Sequence, residues 1–225
     1  MQRASDVFNA EQKQDVGQAV ASAESRTCCE IVPVVASASG RYDRPEDIVG
    51  LWLATLTAVV VWVMFPRESA ESGSWSAGSV SLGVLIMVAG VVIAFIVGTV
   101  CGSRVSWLRR LFSPKEQLQE EVATRARGVF FDNRIHHTAG STGILIYVSL
   151  FEHMAVVLGD QEVIEKMGQS SVDALCGQLT DELQKSHPAD ALIAVITTAG
   201  EQLAGVLPRA ENDNNELQDA LVLID

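Results

Sequence analysis

Two long runs without a charge dominate the pattern of apolar and polar positions along the chain. The first is Ile48–Phe65, IVGLWLATLTAVVVWVMF, and the second is Ser79–Gly102, SVSLGVLIMVAGVVIAFIVGTVCG. Each is about as long as a ~30 Å hydrocarbon core requires. Between them PRESAESGSWSAG is polar and rich in Ser and Gly, and Pro66 ends a preceding helix. The pattern predicts a transmembrane helical hairpin over residues 48–103 and so a lipid bilayer as the chain's first partner. Arg41 and Arg44 precede the first run. Arg104, Arg109, Arg110 and Lys115 follow the second, and the connecting loop sets Arg67 against Glu68 and Glu71. The positive-inside rule then places both flanks in the cytoplasm and the loop outside. This orientation predicts a multi-pass membrane protein with its soluble part in the cytoplasm. Trp52, Trp62, Trp75 and Trp107 fall near the ends of the runs, where indoles favour the interface. Val105–Phe112, VSWLRRLF, would lie along the inner surface as a short basic amphipathic stretch.

Gly90, Ala94, Gly98 and Gly102 recur every fourth residue in the second run. Such a stripe lets another helix approach closely. It would pack the two spans together or serve a homodimer or a membrane-protein partner.

Outside the hairpin the pattern alternates between helical and strand periods. Asn9 is a helix N-cap with Gln12 at the capping-box position, and Val16, Val20 and Ala21 form the helix's apolar stripe. Glu30 opens a β-branched run, EIVPVVASAS, in which Pro33 suits an edge or a bulge. Ser113-Pro114-Lys115-Glu116 starts a helix that runs to about Phe131. Gly143–Ser149 and Met154–Leu158 read as strands joined by a tight turn, hence antiparallel. Helices at about 171–186 and 189–205 flank Ser186-His187-Pro188, and a polar tail ends in a short apolar stretch. The order α-β-hairpin-α-β-β-α-α implies an α/β/α sandwich with a small mixed sheet. Residues 1–47 and 104–225 would form one split domain that the hairpin interrupts.

Composition narrows the function classes. A formal net charge of −12 argues against a nucleic-acid partner, which needs a basic footprint. The N-terminal MQRASDVFNAEQKQ has no apolar h-region, so no cleavable signal peptide is expected. Cys28, Cys29, Cys101 and Cys176 lack paired metal-ligand spacing and read as reduced thiols.

The run Glu24–Thr27 leading into Glu30–Val35 resembles the opening helix and strand of the TPM domain family. Thr142–Glu152, followed by Met154–Asp160, resembles its central strand pair with an acidic end. Asn215–Asp219 looks like the ending of a bacterial membrane-bound branch. The family name joins a thylakoid lumen phosphatase-like protein, a photosystem II repair protein and a modulator of nematode acetylcholine receptors. The resemblance covers about residues 10–37 and 114–225. It implies an α/β/α sandwich in which some members are acid phosphatases, some bind divalent ions and others are accessory factors of membrane complexes.

The residues themselves show no Cys-x₅-Arg, no Asp-x-Asp pair, no nucleophile elbow and no phosphate-cradling glycine loop. Asp160 is the leading candidate for a hard-cation ligand, because it follows a buried strand, and Ca²⁺ or Mg²⁺ takes oxygen ligands. The simpler reading is that it caps the N-terminus of a following helix. Glu30 would stand beside it if their strands are neighbours, and Asp132 could supply a third oxygen. His136 and His137 are adjacent and lack the spacing of a helical zinc pair, and His153 and His187 read as loop residues. The expected function is an accessory or scaffolding role at the membrane. The alternative is a divalent-metal-dependent phosphatase.

Overall fold

A computed structural model describes residues 3–40, 44–64, 82–104, 114–135, 142–209 and 217–225. Eight helices and a four-stranded mixed sheet lie within them. The helices are α1 (Ala4–Val7), α2 (Ala10–Glu24), α3 (Arg44–Met64), α4 (Leu82–Arg104), α5 (Lys115–Asp132), α6 (Gln161–Met167), α7 (Gln169–Leu183) and α8 (Pro188–Val206). The strands are β1 (Glu30–Ala36), β2 (Gly143–Ser149), β3 (Met154–Gly159) and β4 (Val222–Ile224). The chain divides into two units, one made of residues 1–40 with 115–225 and the other of residues 41–114. The division falls outside the apolar runs because α3 already begins at Arg44, ahead of its uncharged stretch.

In the first unit the sheet order is β3-β2-β1-β4. β1 pairs in parallel with β2 and with β4, whereas β3 runs antiparallel to β2. Helices cover both faces. Val16 and Val20 of α2, Leu175 and Leu179 of α7 and Leu192 and Ile196 of α8 pack on Ile31, Val35, Ile144 and Ile146. On the opposite face Val122, Ala126, Val129 and Phe130 of α5 pack on Val32, Val34, Leu145 and Tyr147. β1 and β2 are therefore buried at every position. This is why they read as unbroken apolar runs rather than alternations. Each fully buried Leu or Ile contributes roughly 1.5–3 kcal/mol of transfer free energy.

Local signals set the element ends. Asn9 accepts from the Gln12 amide and the Gln12 side chain accepts from the Asn9 amide, closing the capping box of α2. Gly168, with φ +85°, makes the sharp junction between α6 and α7. His187 is more than a loop residue: its Nδ1 accepts from the Ala189 amide and caps α8 behind Pro188. The short elements α1, α6 and β4 carry no period long enough to be read from sequence, and β4 is the apolar end of the tail.

Pro33 occupies an inner strand rather than an edge or a bulge, opposite Ile146. Its tolerance follows from the register. Glu30 sends its N–H to Thr142 on the β2 side, so odd-numbered residues of β1 point theirs toward β4. β4 pairs only with Val34–Ala36, so no partner strand stands opposite Pro33 where its N–H would have been.

In the second unit α3 and α4 pack against each other. The windows Asp47–Met64 and Val84–Gly102 are long and apolar enough to cross a membrane. At 1.5 Å per residue each covers about 27 Å or more. Trp52, Trp62, Val63, Met64, Leu85, Ile93 and Ile96 are exposed. The Thr55, Thr57 and Thr99 hydroxyls donate to carbonyls of their own helix. No hydroxyl among these three is left needing water. Gly98 lies against Gly50, where a Cβ would come 2.7 Å from the Gly50 Cα. Gly98 and Gly102 are buried, and Gly90 and Ala94 are half-buried. Of the two uses the stripe could have, this geometry has the packing of the spans. The loop at 66–78, Trp75, Val105–Phe112 with Trp107, and Ser113 lie outside the described residues.

Candidate acidic site

The register of the sheet brings Glu30 and Asp160 to one end of it. Glu30 is the first residue of β1 and pairs with Gly143, the first of β2. Asp160 follows the last residue of β3, and its amide donates to the Gly143 carbonyl. The two carboxylates therefore flank Gly143, one on each side of β2, rather than meeting between neighbouring strands. Gly143 is required there, since a Cβ would run into the backbone of Ile135.

Asp160 does cap a helix: its Oδ1 accepts from the Gln161 amide at the start of α6. Its other oxygen, Oδ2, is buried with no hydrogen-bond partner among the described residues. Glu30 is buried. Asp132 is exposed at the C-terminus of α5.

Two carboxyls that sequence reasoning did not pick out complete the neighbourhood. Glu24, the last residue of α2, turns its Oε1 to the Ile31 amide, which donates at 2.7 Å. Ile31 is odd-numbered, so this N–H points to the side where β4 has not begun. The Glu24 carboxyl thus stands in for a missing strand. Asp219 arrives from the segment ahead of β4. Together with Ala21, Thr27, Cys28, Cys29, Glu30 and Arg209 they line a cleft of about 70 Å³, room for a few waters.

The electrostatics follow from burial and like charge. Burial is the main reason that Glu24 is pushed up to about 9, with Glu30 and Asp219 adding to it against the opposing pull of the Ile31 amide. The Cys29 thiol is raised by burial first, then by Cys28, Glu24, Glu30 and Asp160. Such a thiol is inert as a nucleophile. Among the described residues no three His, Cys, Asp or Glu side chains converge as a metal-ligand set. His136 and His137 lie outside the described residues.

A second polar cluster sits at the other end of β1 and β2. The Glu152 carboxylate, fully buried in the β2–β3 turn, accepts from the amides of Ser39 and Gly40 and from the Ser149 hydroxyl. Ser39 Oγ also meets Tyr147 Oη at 2.9 Å. These groups satisfy one another and hold the chain where it leaves the first unit.

No known family model matches the chain, and no curated protein matches it. Among solved structures it is similar to the NMR structure of BA42 protein from the psychrophilic bacterium Bizionia argentinensis sp. nov.. The TM-score is 0.57 at 16% identity, with 99% of each chain covered. That likeness is one of fold.

Proposed function

We propose that this chain is an accessory or scaffolding protein of the bacterial inner membrane, anchored by the α3–α4 hairpin with its α/β unit in the cytoplasm. The observation that carries the reading is the surface of the hairpin. Its small residues are turned to the helix–helix contact, while Trp52, Trp62, Val63, Met64 and most of the large residues of α4 are exposed. An exposed apolar surface of this length suits hydrocarbon and not water. The basic residues flanking both runs support the orientation. The resemblance to the TPM family, some of whose members assist membrane complexes, points the same way. Tagged full-length protein in mild detergent should copurify a defined membrane protein, at a stoichiometry that a hairpin of scrambled apolar sequence abolishes. Recovery of the chain alone would count against it.

The second reading is a divalent-cation-dependent phosphatase. It is favoured by two buried carboxylate oxygens without hydrogen-bond partners among the described residues, Oδ2 of Asp160 and Oε2 of Glu24. With Glu30 they could gather around Ca²⁺ or Mg²⁺. Saturating cation at about 100 times its dissociation constant adds about 2.7 kcal/mol to the native state. A thermal shift present in the wild type and absent in Asp160→Asn would support this reading, and no shift in either would remove it.

A further inference from the structure

The first unit offers little large apolar surface to water. Among its described residues the large apolar side chains left exposed are Phe131 of α5 and Val206 at the end of α8. Phe131 is 58% exposed, and it does not lie at the fringe of the core. At about 100° per residue it falls on the opposite side of α5 from Val122, Ala126 and Val129, which pack on the sheet. Phe130 is the buried member of the aromatic pair, and the two rings meet edge to face at 6.0 Å. Arg127, exposed, stands one turn back on the face of Phe131. Arg134, also exposed, follows in the turn after the helix. Its φ of 56° is a conformation more usual for glycine or asparagine. Gly128 has nothing within 4 Å of the point a Cβ would occupy, so no packing among the described residues calls for a glycine there.

We propose that this corner of the unit, formed by Arg127, Phe131 and Arg134, docks on the headgroup region of an anionic lipid bilayer. The inference rests on the membrane anchoring proposed above. Charge selects the partner. The chain is acidic, with a formal net charge of −12, and an acidic surface is repelled by anionic lipid. Residues 125–134 are the exception, with Arg125, Arg127 and Arg134 against the single acid Asp132. Glu116 and Glu120 stand on the same side of α5 nearer its start, so that side is acidic at one end and basic with an aromatic ring at the other. A guanidinium pairs with a phosphate, and an aromatic ring beside it favours the bilayer interface. The bare backbone at Gly128 lets a headgroup approach closely. α5 begins at the residue after the hairpin unit ends, and its 18 residues rise about 27 Å. A bilayer that holds the hairpin is thus offered to the patch at high local concentration, and a weak contact suffices.

Hydroxyl-radical footprinting read by mass spectrometry tests this on the full chain in nanodiscs of phosphatidylcholine or of phosphatidylglycerol. Oxidation of Phe131 should be severalfold slower on the anionic lipid, while Val206 is oxidised equally on both. In 1 M salt, which screens charge beyond about 3 Å, the protection of Phe131 should be lost. The pair Arg127→Glu and Arg134→Glu should abolish it, and Arg127→Lys with Arg134→Lys should keep most of it. All four substitutions are at exposed positions and should leave the melting temperature close to that of the wild type. Equal oxidation of Phe131 on the two lipids would overturn the proposal. So would protection that the double glutamate variant retains, since the cover would then be protein or apolar packing rather than anionic lipid. A chain that does not enter nanodiscs would contradict the anchoring instead. Phe131 oxidation in that chain, mixed with vesicles of each lipid, then decides the docking by the same comparison.

Discussion

At the scale of single residues, the carboxylates around Gly143 were legible singly and not as a group. Asp160 and Glu30 could be named from their places at strand ends, and Asp160 as a cap from the apolar run behind it. That they flank Gly143 from opposite sides of β2 depends on a register that a sequence does not display. Glu24 gave no signal, because its role is to accept from Ile31 on an edge whose emptiness only the length of β4 reveals. Asp219 gave none because it comes from nearly 200 residues away. Two predictions belong here. Asp160→Ala should cost about 1 kcal/mol in thermal or denaturant unfolding, as the loss of a cap does, while Asp160→Asn should be close to neutral. For Glu24 the folded-state titration lies above its ordinary value of 4.5, at about 9. Between these the folded state keeps a proton that the unfolded chain has released. Its contribution to stability is therefore full below about pH 4.5 and declines as pH rises toward 9. Glu24→Gln keeps an acceptor for Ile31 without that penalty. Its melting temperature should exceed that of the wild type by a few degrees at pH 8, with the gap widening as pH rises. Melting curves of the two proteins at pH 6, 7, 8 and 9 check both sign and trend.

At the scale of elements, sequence reading succeeded where the period was long or the cap chemistry strong. The capping box of α2, the tight turn between β2 and β3, and α5 behind Pro114 all carried local signals that tertiary structure did not override. It failed where elements are short. α6 has seven residues and β4 three, too few to show a period. Pro33 misled because proline excludes a strand interior only where a partner needs its N–H, and β4 stops one residue short. In the hairpin the four-residue repeat was plain, but which helix it served was not. The Gly50–Gly98 contact leaves no room for a side chain. Gly98→Leu should therefore push α3 and α4 apart at a cost of roughly 1–3 kcal/mol. Cysteine cross-linking between introduced pairs along the two helices, in detergent, should lose efficiency around that crossing. Unchanged cross-linking would mean that the helices do not meet there.

At the scale of the whole molecule, both hydrophobic cores are built entirely from the first unit. The α/β unit thus has the apolar interior it needs without residues 41–114. The acidic balance of the chain suits a water-facing surface, and the hairpin's exposed large apolar residues suit hydrocarbon. The account of function rests on assigning the two parts to different solvents. Its most direct test is alkaline carbonate extraction of bacterial membranes carrying the full chain, beside a version with Gly40 joined to Lys115 by a short Gly/Ser linker. The full chain should stay in the membrane pellet, while the shortened chain should be folded and soluble. Release of the full chain into the carbonate supernatant would contradict a membrane-spanning hairpin, and with it a scaffold held at the membrane.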